Sequence, residues 1–278
     1  MVIVSINGQL GNQMFQYAVG YKNQLLGHRV KYELFDYIEH PNHWALDRFG
    51  ITVSEATQKE VLLLKDEYRS ILNRIRRKLL GRHPRVVSEI GRKEYFYDAE
   101  VFAHKNVFID GYWQSEKYFE DIAEEIRKIY TFPISDNPRN VELVEELKKC
   151  TSVSIHVRRG DYLGGFPVMD MDYYIPAMKY FKEKYENVKF YIFSNDLKWC
   201  RDNFINEDVT FIDWNTGKDS IFDMYLMTQC KHNIIANSTF SWWGAWLNTN
   251  PGHEVIAPKV WFYHTKTPAV YCKDWIKL

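Results

Sequence analysis

The chain has 278 residues, about right for two α/β domains and too many for one small core. Hydrophobic residues make up 46% and charged residues 26%, and Lys plus Arg equals Asp plus Glu at 36 each, so there is no broad polyanion footprint and no electrostatic basis for a nucleic-acid role. Apolar runs such as Met1–Ile6 are too short to span a bilayer, the opening lacks the order of a signal peptide, and Cys150, Cys200, Cys230 and Cys272 show no CxxC spacing, which argues against zinc and for reduced thiols in a cytoplasm.

In chain order, Val2–Ile6 reads as a β-branched first strand, followed by a Gly-containing turn over residues 7–11. Residues 12–26 carry Met14, Tyr17, Ala18, Tyr21 and Leu25 on one helical face, and Gly27 ends that helix. Val30–Leu34 is the next strand, completing a βαβ opening. Glu60–Leu80 reads as one helix, Val107–Asp110 as a strand and Tyr118–Tyr130 as a further helix. The polar, Pro-containing stretch 132–138 is the expected boundary, giving domains 1–135 and 140–278.

The second half alternates more strictly. Strand Ser152–Val157 precedes a polar turn and a helix over Tyr173–Tyr185. Strand Val188–Phe193 ends in Ser194-Asn195-Asp196 before a short helix. Strand Val209–Ile212 ends at Asp213, and Asp219 or Ser220 can cap a helix running to Cys230. Strand Asn233–Ala236 ends in Asn237-Ser238-Thr239, before a Trp-rich helix to Leu247. Such alternation means a parallel sheet with right-handed crossovers.

Parallel sheets place ligands at the carboxyl ends of their strands, so these polar clusters are expected to share one rim. In His156-Val157-Arg158-Arg159-Gly160-Asp161-Tyr162 the extended backbone sends Arg158 and Arg159 to opposite sides, and Gly160 permits a bend. Two guanidiniums at a strand end suit a diphosphate; the plainer alternative is an Arg159–Asp161 ion pair holding the turn. Asn237-Ser238-Thr239-Phe240-Ser241 ahead of a helix offers N–H groups and hydroxyls to an anion, or simply N-caps through Ser238 or Thr239. Asp223, on a largely apolar helix, can accept from a guanine N1–H and N2–H pair or can be a solvated Asp near a helix start. Gly8–Gln13 lacks the dinucleotide GxGxxG pattern; its Asn12 and Gln13 are either neutral ligand contacts, or the segment is a tight turn with Asn12 as cap. The basic segment Arg69–Arg85 fits a solvated helix face, or peripheral contact with an anionic membrane.

Gly8–Ala18 (GQLGNQMFQYA), Gly111–Phe119 (GYWQSEKYF), His156–Tyr162 (HVRRGDY), Phe193–Cys200 and Asn237–Leu247 (NSTFSWWGAWL) resemble the bacterial α-1,2-fucosyltransferases of glycosyltransferase family 11, and the matches run in the family's order from residue 8 to about 248. The resemblance implies a GT-B-like α/β fold with two Rossmann-like domains facing across a cleft. It also implies metal-independent, inverting transfer of L-fucose from GDP-β-L-fucose to O2 of a terminal β-galactose. In its terms His156 and Arg158 hold nucleotide and diphosphate, Ser238 and Thr239 contact phosphate, Asp223 reads guanine, and Asn12 approaches the diphosphate or fucose. Position 9 is Gln where the family often has Arg or Gly, so no cation is expected there.

Arg159, Ser194, Asn195, Asn237 and Phe240 complete the donor-side candidates; Gln114 and Tyr162 are the acceptor-side ones, and segment 164–171 is a candidate for shaping that site. Asp161 is the expected base for the galactose hydroxyl, with Arg158 and Asn12 as the other catalytic candidates. No DxD follows a strand, so no metal or cofactor beyond the donor is expected. The alternatives are a different GDP-sugar or acceptor, a protein fucosyltransferase, or a non-catalytic GDP-sugar-binding module. The expected location is the cytoplasm, with the basic segment able to touch the inner face of the membrane.

Overall fold

In the computed structural model, which describes residues 1–35, 37, 43–89, 95–205, 207–263 and 269–278, the apolar strand runs lie side by side in two separate parallel sheets. The chain divides into two units, one built on Met1–Tyr130 and the other beginning at Thr131.

In the first unit, β1 (Val2–Ser5) is buried on both faces, as a strand covered on both sides must be. Helix α1 (Leu10–Leu25) starts two residues earlier than its apolar periodicity predicts, directly after a turn in which Gly8 takes φ +74°. Strand β2 (Val30–Glu33) follows. Strands β3 (Val86–Ser88) and β4 (Val107–Asp110) complete a sheet of order β2-β1-β4-β3, every pair parallel.

Two expected helices are broken. The span 60–80 is two helices, α2 (Gln58–Leu64) and α3 (Ile71–Leu80). Thr57 and Glu60 form a capping box that starts α2, Asp66 turns left-handed at φ +56°, and the Ser70 side chain accepts from Asn73 N to start α3. The span 118–130 is helical only in α4 (Ala123–Ile129), after two short 3-10 turns. Tyr118 explains the delay: it is fully buried, and its hydroxyl donates to Phe96 O (3.1 Å) and accepts from Asp98 N (3.0 Å), which fixes it before the α-helix begins.

The stretch 132–138, read from the sequence as the boundary, lies within the second unit. Phe132 packs on Tyr225 at 5.6 Å, and Asn137 caps α5 (Pro138–Leu147), which has Pro at its first position. Then come β5 (Thr151–Val157), α6 (Met171–Lys184), β6 (Val188–Ser194), α7 (Leu197–Asn203), β7 (Val209–Ile212), α8 (Ile221–Gln229), β8 (His232–Ile234), α9 (Thr239–Trp246), β9 (Val255–Ala257) and β10 (Ile276–Lys277). The sheet order is β10-β9-β8-β5-β6-β7, all parallel. From β5 the chain moves outward to β6 and β7, then returns to β8 on the other side. Strands β5 and β8 therefore flank the reversal of strand order, where ligands bind in such sheets.

Candidate active site

Both motif turns leave that reversal. Strand β5 pairs with β8 from Val153–His232 to Ile155–Ile234, so the segments after Val157 and after Ile234 emerge from neighbouring strands at the same end of the sheet. Their side chains meet: the His156 and Phe240 rings lie 5.7 Å apart, and the Tyr162 hydroxyl donates to Asn237 O at 3.3 Å. The expectation of a shared rim holds here.

Arg158 points toward this crevice, its guanidinium carbon 5.3 Å from the centre of the Tyr162 ring, and Nη2 donates to Asp161 Oδ2 at 2.6 Å. Asp161 Oδ1 accepts from Asn195 Nδ2 (3.1 Å), and Asn195 Oδ1 accepts from Arg159 N (3.0 Å). Asn195 thus buttresses the turn, while Ser194 Oγ accepts from Asp196 N within its own loop. Gly160 is needed for space, because a Cβ there would lie 2.7 Å from Asn195 Nδ2.

Arg159 departs from both expectations made for it. It neither pairs with Asp161 nor joins Arg158; its guanidinium stacks over Trp199 at 4.1 Å, with Nε 3.7 Å from Asp196 Oδ2. The pleat predicted opposite sides for the two arginines, and Trp199 on α7 supplies the surface that holds the second one. An open depression of about 490 Å³ lies on that side, lined by Arg159, Val168, Asp170 and Trp199. The β5–β8 crevice thus gathers one guanidinium and a helix start, not a pair of arginines.

At that helix start, Ser238 occupies the N-cap position of α9 without a side-chain capping bond, so plain capping is not what these residues do. The first-turn N–H groups carry the positive end of the helix dipole, and Thr239 brings its hydroxyl to them half-buried. Asn237 is a strut: its Nδ2 donates to Pro167 O (2.9 Å) and Trp261 O (3.1 Å), while its buried Oδ1 has no hydrogen bond among the described residues. Segment 164–171 is tied to the same place, since Phe166 packs on the Tyr162 ring at 4.7 Å.

His156 is buried beside these groups, and its Nδ1 has no hydrogen-bond partner among the described residues. Burial, and secondarily the Arg158 charge, push its pKa down to about 3, so the imidazole is neutral and offers hydrogen bonding without charge. One helix away, Asp223 in the first turn of α8 accepts from Asn215 Nδ2 at 2.9 Å. Asn215 is held in turn by two bonds of 3.0 Å with Asn140, and Asn140 Oδ1 also accepts from Trp214 Nε1 at 2.7 Å. Burial raises the Asp223 pKa to about 7, against a lowering from Asn215.

In the first unit, Asn12 Oδ1 accepts from Gln114 Nε2 at 3.0 Å, which joins the GNQ and YWQS motifs. Gln114 Oε1 is buried with no hydrogen bond among the described residues. Gln13 and Gln16, fully buried, staple the loops around them to α1: Gln13 Nε2 donates to Gly8 O and His43 O, and Gln16 Nε2 donates to Gly111 O. Glu89 Oε2 accepts from the Tyr112 and Trp113 amides at 2.7 and 3.1 Å.

Sequence reasoning missed Gln16, Glu89, Asn140, Asn215 and Trp199 of this supporting layer, and read Gln13 as a ligand contact rather than a staple. Gln16, set between Phe15 and Tyr17 in a largely apolar run, was a visible signal; for Glu89 and the asparagines there was none. Among the described residues, no group of three or more His, Cys, Asp or Glu gathers to hold a metal ion.

The family model described as Glycosyl transferase family 11 matches residues 1–278. An alpha-1,2-colitosyltransferase of Escherichia coli is 35% identical, over 94% of this chain and 92% of that protein. The human galactoside alpha-(1,2)-fucosyltransferase 1 is 31% identical over 50% of this chain and 42% of its own length. A solved structure of the fucosyltransferase NodZ from Bradyrhizobium is similar at a TM-score of 0.49, with 16% identity, covering 87% of this chain and 91% of that one.

Proposed function

Because the chain belongs to glycosyl transferase family 11, we propose that it transfers L-fucose from GDP-β-L-fucose to O2 of a terminal β-galactose, with inversion. The observation that carries this reading is the emergence of Arg158 and the uncapped start of α9 from adjacent strands at the point where strand order reverses. Together they make a cationic seat for a pyrophosphate, with Asp223 one helix away as the carboxylate for the guanine edge.

The chemistry assigned to these groups is electrostatic. As the glycosidic bond breaks, negative charge grows on the leaving diphosphate, and Arg158 and the first-turn N–H groups of α9 stabilise it. Neutral His156 orients the nucleotide without adding charge. Donor binding takes the Arg158 donors that Asp161 holds in the structure, and the released Asp161 carboxylate accepts the galactose O2 proton. Asn12 and Gln114 form a neutral hydrogen-bonding pair assigned to sugar hydroxyls.

A second reading is favoured by the 35% identity to a colitosyltransferase: the donor sugar is colitose, which lacks one hydroxyl that fucose carries. Incubation with each GDP-sugar and a panel of β-galactosides in EDTA tests both. An α-1,2-fucosylated product by NMR supports the first reading, and product with GDP-colitose alone supports the second. GDP binding without product from either donor would leave a sensor module and refute the transferase reading.

A further inference from the structure

Helix α3 is mounted the wrong way round for a surface helix of a globular protein. Such a helix turns its apolar stripe to the core and its charges to water. At about 100° per residue, Ile71, Ile75, Leu79 and Leu72 share one stripe, and they are 77, 52, 76 and 80% exposed. None of the helix is buried.

Its polar side is the attached one. Arg77 Nη1 donates to Asp66 O (3.0 Å) and Tyr68 O (3.2 Å), Arg76 pairs with the Asp66 carboxylate, and Asn73 is held by Ser70 and Tyr68. Asp66 Oδ2 also accepts from His83 N at 2.9 Å, which fixes the far end of the hairpin around the helix. The carboxylate is held below its usual range by that amide and the two arginines. These bonds leave the apolar stripe facing solvent.

Cations border it. Arg69, Arg74, Lys78, Arg82 and Arg85 are exposed, and residues 69–85 contain no acidic side chain although the whole chain has zero net charge. Glu67, the acid nearest in sequence, pairs with Arg82 at 3.1 Å, and Asp66 is taken up by Arg76 and Arg77. Arg74 and Lys78, which flank the stripe, have no ion pair among the described residues.

We propose that α3 is an interfacial anchor that lays this protein on an anionic lipid bilayer, with the apolar stripe in the headgroup–acyl boundary and Arg74 and Lys78 on lipid phosphates. Charge complementarity selects this occupant. A second copy docked on the same face would set two cation clusters against each other, whereas an anionic lipid surface satisfies both the apolar and the cationic groups. Among the described residues no helix is long and apolar enough to cross a membrane, so the contact is peripheral.

Co-sedimentation with phosphatidylcholine vesicles, with and without phosphatidylglycerol, tests the proposal. Binding is expected to the anionic vesicles only, and to fall as salt rises. The pair Arg74→Gln/Lys78→Gln should weaken it roughly 25-fold, and Ile75→Ser/Leu79→Ser should weaken it strongly. Both pairs should keep the wild-type thermal midpoint, because the altered side chains are exposed and none of this helix is buried. Absence of binding to anionic vesicles at low salt would overturn the proposal. So would equal binding to neutral vesicles, binding indifferent to both double variants, or a dimer in solution dissolved by Ile75→Ser/Leu79→Ser.

Discussion

Asn215 donates its side-chain amide to Asp223 Oδ1 at 2.9 Å and so offsets part of the rise that burial imposes, leaving the carboxylate at about 7, poised between charged and neutral near physiological pH. The aim of that carboxylate depends on Asn140, because Asn215 is itself held by a reciprocal pair of amide bonds.

This relationship sets a pH dependence. Only ionised Asp223 can accept from both guanine N–H groups, so guanosine affinity should rise with pH and level off above about 7. The effect on folding has the opposite sign. The unfolded carboxyl ionises near 3.8 and the folded one near 7, so the folded state holds the extra proton between them, and the stability due to this group falls as pH rises through that window. Asp223→Asn should flatten the binding profile and raise the thermal midpoint at pH above 7. Asn215→Leu should move the binding midpoint upward and cost about 10-fold in affinity, near the value of one hydrogen bond to a charged group. Titration calorimetry across pH checks both.

Arg158 and Asp161 are paired at 2.6 Å, and their proposed roles separate binding from chemistry. Arg158→Ala should lower kcat/KM by about 100-fold or more, the scale of losing one transition-state charge contact. Asp161→Asn should bind GDP at least as tightly as wild type, since Arg158 no longer has to leave a carboxylate. Its kcat should still fall by about 100-fold or more. Steady-state kinetics beside GDP titrations decide this, and near-full turnover in Asp161→Asn removes Asp161 as the base.

Thr239→Val deletes a hydroxyl at the start of α9 and keeps its shape. Because no side chain caps this helix, stability should change by less than about 0.5 kcal/mol, whereas loss of a capping residue costs about 1 kcal/mol. GDP affinity should fall several-fold. A thermal melt with and without GDP reads both numbers.

Gly160→Ala tests the close approach in the first turn. Its Cβ would displace Asn195, which bonds both Asp161 and Arg159 N, and the expected cost is about 1–2 kcal/mol. Asn195→Ser makes room, so the double variant should recover part of that loss in a denaturant titration.

Much of the second unit could be read directly from the chain. Runs such as Val188–Phe193 and Val209–Ile212 are β-branched or aromatic and end in polar clusters, and the structure makes them β6 and β7. Strand order, which brings the β5 and β8 turns together, is long-range information that periodicity does not carry. β10, at two residues, is shorter than any period can register. The break in 60–80 turns on Asp66, whose left-handed backbone is set by the arginines and the His83 amide gathered on its side chain. The pleat separated Arg158 from Arg159, but nothing local announced Trp199 as the platform for the second. In α3 the spacing shows an apolar face and is silent on which way it points.

A crystal structure with GDP bound tests the central assignment most directly. The account predicts β-phosphate oxygens within hydrogen-bonding distance of both the Arg158 guanidinium and the Thr239 backbone N–H, with guanine against Asp223. A diphosphate seated instead beside Arg159 and Trp199, or density for GDP that leaves the Arg158–Asp161 pair intact, would contradict it.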